Sequence, residues 1–232
     1  MTLKLLTTGN TKTLKGEKKG YITYILHLAP AEVAGVGNMC PKATAGCMES
    51  CLNLAGHGGM LKKDTGTNAV QEARKRKTRF FAQDKAGFLA ALQQDIAKAI
   101  KHATKKDMIP VFRLNGTSDI AWEKHGIIQS FPDVQFYDYT KIPGRKVKHL
   151  SNYHLTFSQA DGNEADVAKA MKNGMNIAVV FRKKLPTTYL GRAVIDGDES
   201  DLRFLDAENV IVGLKAKGKA RKDTSGFVVD VA

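Results

Sequence analysis

The sequence predicts an α/β fold: a partial (β/α) barrel or curled, mostly parallel sheet with flanking helices. Three observations predict it. Short runs rich in β-branched and aromatic residues alternate with segments of helical periodicity along most of the 232-residue chain. The strand-like runs number five to seven, short of a closed eight-stranded barrel. Most of them end in polar or charged residues, as expected of a parallel sheet that gathers its chemistry at the carboxyl ends of its strands.

The elements follow in order. Residues 1–20 are a basic N-terminal segment with a dense run from Lys12 to Lys19. Tyr21 to Leu28 is rich in β-branched and aromatic residues and reads as a strand, stopped by Ala29-Pro30. A cysteine- and glycine-rich loop spans 38–59 and closes on Gly56-His-Gly-Gly59, a plain turn or a close approach to a ligand. Asn68 to Phe81 reads as a basic helix. Gly87 to His102 is a stronger one, with Phe88, Leu89, Leu92, Ile96, Ala99 and Ile100 at helical spacing. Strands are expected at Ile109–Leu114, Val134–Tyr139, Tyr153–Phe157, Asn176–Phe181 and Ile211–Leu214, with helical segments at about 119–130, 163–173 and 199–207.

Hydrophobic residues make up 43% of the chain, enough for the core of a single domain over 1–232. No run approaches a membrane span, and the N-terminus has no apolar stretch long enough for a signal peptide. A cytoplasmic protein is expected. The net charge of +13 favours a polyanionic partner, nucleic acid or nucleotide. Besides Lys12–Lys19, basic residues concentrate at Arg74–Arg79 and Lys215–Lys222. Solvated surface is the competing reading of each run.

All three cysteines, Cys40, Cys47 and Cys51, fall within twelve residues. That clustering predicts a metal site. Three thiolates could hold a [4Fe–4S] cluster with one open iron. Zinc with His57 as fourth ligand is the rival to that cluster. A disulfide plus one free thiol, or three buried structural cysteines, are the readings without metal.

The cysteine loop follows the first strand, so it shares the carboxyl-end face with the polar residues after the later strands. That face is expected to bring Cys40, Cys47 and Cys51 together with Asn115, Ser118, Asp119, Asp138, Lys141, Ser158 and Lys215. Helix capping is the competing role for Asn115, Ser118 and Asp119, and Asp138 and Lys141 could pair with each other. Asp196-Gly-Asp198-Glu-Ser-Asp201 reads as a turn before a capped helix, or as a carboxylate site for a divalent cation.

Several runs resemble the phage "gene product 88"-type family: Cys40-Pro-Lys-Ala, Ala45-Gly-Cys47, Arg113-Leu-Asn-Gly-Thr-Ser-Asp119, Tyr137-Asp-Tyr-Thr-Lys141 and Tyr153-His-Leu-Thr-Phe-Ser158. The resemblance implies a bacteriophage protein acting in the cytoplasm of an infected bacterium. A more distant likeness is to radical S-adenosylmethionine enzymes, which carry three cysteines on the loop after the first strand of a partial barrel. Their usual C-x3-C-x2-C spacing differs from the C-x6-C-x3-C found here. On that likeness Cys40, Cys47 and Cys51 would hold a [4Fe–4S] cluster. The likeness carries over these ligands and not the cofactor contacts; from their place at the strand ends, Asp119, Asp138 and Lys141 are the expected catalytic groups, and Asn115, Ser118, Ser158 and Lys215 are expected to hold S-adenosylmethionine or a nucleotide or nucleic-acid substrate. The alternatives are a non-radical [4Fe–4S] enzyme using the open iron for sulfur transfer or Lewis-acid chemistry, and a zinc-braced module binding nucleic acid or a host protein.

Overall fold

A computed structural model describes residues 3–8 and 13–231, so Lys12 of the first basic run lies outside the described residues. The chain runs through β1 (Leu6–Thr7), α1 (Leu14–Glu17), β2 (Tyr21–Leu26), α2 (Ala45–Glu49), α3 (Ala69–Gln83), α4 (Lys85–Thr104) and β3 (Ile109–Arg113). It continues through β4 (Gln135–Thr140), β5 (Tyr153–Ser158), α5 (Glu164–Lys172), β6 (Ile177–Phe181), β7 (Thr188–Tyr189), β8 (Arg192–Asp196), β9 (Ile211–Lys215) and β10 (Val228–Val229).

These strands form one sheet in the order β1-β2-β3-β4-β5-β6-β9-β8-β7, with β10 also on β6. Pairing is parallel from β2 through β6 and β9 to β8, and antiparallel only where β1 and β7 add at the edges. From β2 to β6 the spatial order follows the sequence. Each crossover therefore steps the same way, and the sheet curls without closing. The expected curled, mostly parallel α/β sheet is the fold observed.

Alternation along the strands sorts their residues into two faces. Ile22, Tyr24, Leu26, Phe112, Phe136 and Leu155 pack against Phe81 of α3 and Phe88, Leu92 and Ile96 of α4. Phe157, Ile177, Val179, Phe181 and Ile211 pack against Val167 and Ala170 of α5. Both long helices begin on a side-chain cap: Asn68 Oδ1 accepts from Gln71 N at 2.9 Å, and Asp84 Oδ1 from Gly87 N at 2.8 Å. The other, concave face carries Val111, Arg113 and Tyr137, covered by the segment 199–206. There Arg113 Nη1 lies 3.2 Å from Asp201 Oδ2, Tyr137 donates to the same oxygen at 3.1 Å, and Phe204 packs on Tyr21 and Tyr137.

Two expected helices are only short 3-10 turns, Trp122–His125 and Arg203–Leu205. In the first, Asn115 Oδ1 accepts from Ile120 N and from Trp122 Nε1, at 2.9 and 3.1 Å. That draws the chain inward, and Gly126 at φ 74° ends the turn. In the second, Asp201 and Arg203 turn their charges beneath the sheet, where Asp201 meets Arg113. The strands missed by the sequence reading are mostly the two-residue ones and β8, too short or too exposed to show a pattern.

One detail of the pairing creates the site. β9 follows one edge of β6 along its whole length, from Ile177 to Phe181. On the other edge β5 pairs only at Ile177 and Ala178, and β10 takes over at Val180 and Phe181. The sheet thus opens between β5 and β6 at their carboxyl ends, and β10 fills the far half of the gap.

Candidate functional site

A cavity of about 280 Å³ lies at this opening, near the lower end of small-ligand sites. Its walls come from the cysteine loop, the residues after β3, the ends of β4, β5, β6 and β9, and Phe227 just before β10. Two glycines let the loops come this close. A Cβ on Gly46 would stand 1.9 Å from Ser225 Oγ and 2.9 Å from Phe227 Cβ. One on Gly116 would meet Ile25 Cγ2 at 2.6 Å and Leu26 O at 2.8 Å. The cysteine loop is further held by Asp161, which accepts from Thr44 Oγ1 and, at 3.1 Å, from Gly46 N.

The structure brings Cys40, Cys47, Cys51, Asn115, Ser118, Asp119, Lys141, Ser158 and Lys215 to this one cavity. Asp138 lies behind it, fully buried. Its carboxylate accepts from Asn115 N at 2.7 Å, Asn115 Nδ2 at 3.3 Å and Tyr153 Oη at 3.0 Å. Burial pushes its pKa from 3.8 up to about 7, against the pull of these donors and of Arg113 and Arg145. Asp138 and Asn115 together fix the 115–120 turn, since Asn115 also accepts from Ser118 Oγ at 3.1 Å. Asp119 Oδ2 accepts from Lys141 N at 2.7 Å, which ties the turn after β3 to the end of β4. Burial raises the Asp119 pKa.

The thiols correct the metal expectation. Among the described residues, no three His, Cys, Asp or Glu side chains converge to hold a metal ion. Cys40, Cys47 and Cys51 are free, half-buried thiols on one cavity wall. Cys40 Sγ donates to Thr117 O at 3.8 Å, and Cys51 Sγ accepts from Asn53 N at 3.4 Å. Burial pushes the Cys40 pKa up to about 11 and raises that of Cys51, so both keep their protons at neutral pH. His57 is exposed and does not join them. The [4Fe–4S] cluster, the radical S-adenosylmethionine chemistry built on it, the non-radical iron–sulfur alternative and the zinc site with His57 are therefore set aside.

The basic runs are also largely committed. On α3, Arg74 Nη1 donates to Asn53 O and Oδ1 at 2.9 and 2.7 Å, Lys77 Nζ to Leu5 O at 2.6 Å, and Arg79 Nε to Ala34 O at 3.3 Å. Lys77 is buried, and its pKa falls to about 8. These cations clamp the cysteine loop and the N-terminal strand to the helix. Lys215 and Lys217 pair with Asp196 and Asp198 at 3.4 and 2.6 Å. The acidic run from the end of β8 is thus a turn in which Asp196 and Asp198 meet lysines and Asp201 meets Arg113.

Sequence reasoning missed Arg113, Tyr139, Gln159 and Phe227, which also line the cavity. Arg113 could have been found: alternation puts it on the face opposite Phe112, where a charge inside a strand needs a reason. Its guanidinium stacks 4.7 Å from the Tyr139 ring centroid. Phe227 gave no signal, because β10 is two residues long.

Residues 4–231 match the family model described as "Gene product 88". Two relatives are the "Gene 88 protein" of Mycobacterium phage D29 and that of Mycobacterium phage L5. The chain is 31% and 29% identical to them over 160 residues, which is 63% of this chain and 62% and 63% of theirs. The chain thus spans about three-fifths of the length of these curated relatives. No solved structure matches. Among the described residues, no helix is long and apolar enough to cross a membrane. The chain belongs to the gene product 88 family.

Proposed function

We propose that this member of the gene product 88 family binds a phosphate-bearing ligand, a nucleotide or the end of a nucleic acid, in the cavity at the carboxyl ends of its parallel strands. The carrying observation is Lys141. Among the described residues its ammonium has no carboxylate within ion-pair distance, and it lies 5.9 Å from the Phe227 ring centroid at the cavity wall. An ammonium there is a point charge available to an incoming anion. Arg113 supports the reading from deeper in the same cavity. Its charge is permanent; Nη1 is engaged by Asp201, while Nε has no hydrogen-bond partner. The +13 net charge adds a field that draws polyanions toward the molecule.

Calorimetric titration of the full chain with pyrophosphate and nucleoside phosphates tests this. Binding that weakens at least about tenfold in Lys141→Ala, with a shallower salt dependence, is the expected result. Equal affinity and equal salt slope in the variant would remove the anion site.

A further inference from the structure

The phosphate reading, on which this inference rests, leaves part of the cavity wall unexplained. Asp119 is only 9% exposed. Its Oδ2 is occupied by Lys141 N, but its Oδ1 has no hydrogen-bond partner. Arg145 Nη1 stands 3.7 Å from that oxygen, beyond hydrogen-bond reach, because the guanidinium is held by Glu123 and, at 2.9 Å, by Tyr153 Oη. Gln159 follows β5 directly. One end of its amide donates to Tyr189 Oη at 3.1 Å, and the other end, also buried, has no partner. The buried Tyr139 hydroxyl has none either. All three side chains line the one cavity. Buried polar atoms are nearly always paired, and a cluster of unpaired ones around a single cavity points to a ligand that pairs them.

We propose that Asp119, with Gln159 and Tyr139, forms a second subsite that reads hydrogen-bond donors on the ligand that Lys141 holds by its phosphate. An ionised carboxylate oxygen only accepts, so the group facing Asp119 must bring an O–H or N–H. The ends of β3 and β5 stand about 10 Å apart across β4 at normal strand spacing. A ligand spanning them is larger than phosphate and of the size of a phosphorylated sugar or nucleotide. Lys141 supplies both its backbone N–H to Asp119 and its ammonium to the cavity, so the two subsites are adjacent. Sugar hydroxyls and base N–H groups share the required chemistry.

The test is calorimetry on the full chain with pyrophosphate, ribose 5-phosphate, GMP, dGMP, IMP and guanosine. At least one phosphate ester is expected to bind ten times more tightly than pyrophosphate. Asp119→Asn keeps an oxygen for Lys141 N but turns the free acceptor into a donor. It should erase that advantage without weakening pyrophosphate, whose binding the loss of a neighbouring negative charge can only favour. Gln159→Leu, which disturbs no charge, should act in the same direction. A loss from GMP to dGMP assigns the donors to the sugar, and a loss from GMP to IMP assigns them to the base amino group. If every ester binds no better than pyrophosphate, or both variants keep full selectivity, the inference is overturned while the anion site stands. If pyrophosphate fails to bind but guanosine binds in an Asp119-dependent way, the phosphate reading fails and the donor-reading subsite remains.

Discussion

Asp138 offers the sharpest test of the electrostatics behind the cavity. It accepts from both amides of Asn115 and from Tyr153, in complete burial, with Arg113 and Arg145 as the nearby cations. Its pKa rises from 3.8 to about 7 on folding. Between those values the folded protein keeps a proton that the unfolded chain has lost. The stability due to Asp138 is therefore fully present below pH 3.8 and is lost as pH rises through about 7. One proton changes stability by about 1.4 kcal/mol per pH unit, so the whole window amounts to about 4 kcal/mol.

His27 works the other way. Burial beside Arg74, Arg113 and Lys77 lowers its pKa to about 3. Its contribution is present above pH 6.5 and is lost as pH falls through about 3. The two slopes oppose each other over the shared range. Asp138→Asn should unmask the His27 slope. Relative to the natural chain, the variant should gain about 2 kcal/mol between about pH 4.5 and pH 6. Urea denaturation at several pH values reads this as a difference between two curves, from which Asp119 and every other titrating group cancel. Any lost hydrogen bond only shifts the variant curve by a constant. His27→Gln should tilt the difference in the opposite sense. Parallel curves for Asp138→Asn and the natural chain would refute the assignment of a folded-state proton to Asp138.

Two further outcomes follow from the cavity walls. Gly46→Ala should destabilise the protein by about 1–3 kcal/mol, because the new methyl overlaps Ser225 and Phe227, and chemical denaturation measures it; a neutral change would mean that the 223–227 loop yields freely. Cys40 should alkylate slowly with iodoacetamide at neutral pH, with a rate that climbs toward a midpoint near its pKa of about 11; a midpoint below 8 would show a thiolate-stabilising environment that the geometry lacks.

Much of the fold was legible because the helix-facing residues follow simple periods. Phe88, Leu92 and Ile96 on α4, and Ile22, Tyr24 and Leu26 on β2, repeat at the spacings of their elements, and burial follows. The expected helices at 119–130 and 199–207 gave way to side-chain hydrogen bonds that replace helical backbone pairing, one set made by Asn115 just ahead of the segment and one reaching 88 residues away. Asn115 takes up Ile120 and Trp122, and Asp201 reaches Arg113. No local pattern announces such a partner. The strand-end rule, by contrast, brought nine of the ten named site residues to one cavity and misplaced only Asp138, whose strand position points it to the helix side.

The cysteines show where a sequence pattern stops being chemistry. Their clustering correctly located the cavity wall, since a loop after the first parallel strand must fall at the carboxyl-end face. It did not determine their state, which depends on groups far away in sequence. Thr117 accepts from Cys40 across 77 residues, and Arg74 and Gln71 of α3 grip Asn53 beside Cys51. Arg74, Lys77 and Arg79 of the basic helix thus brace the cysteine loop and the N-terminal strand. On the proposed reading the charge that meets a ligand is Lys141, which the run Tyr137-Asp-Tyr-Thr-Lys141 places at the end of a buried strand rather than on an exposed helix. An unpaired cation inside a cavity is a more specific sign of an anionic ligand than a run of cations on a helix, because each arginine or lysine of such a run can find a carbonyl of its own chain.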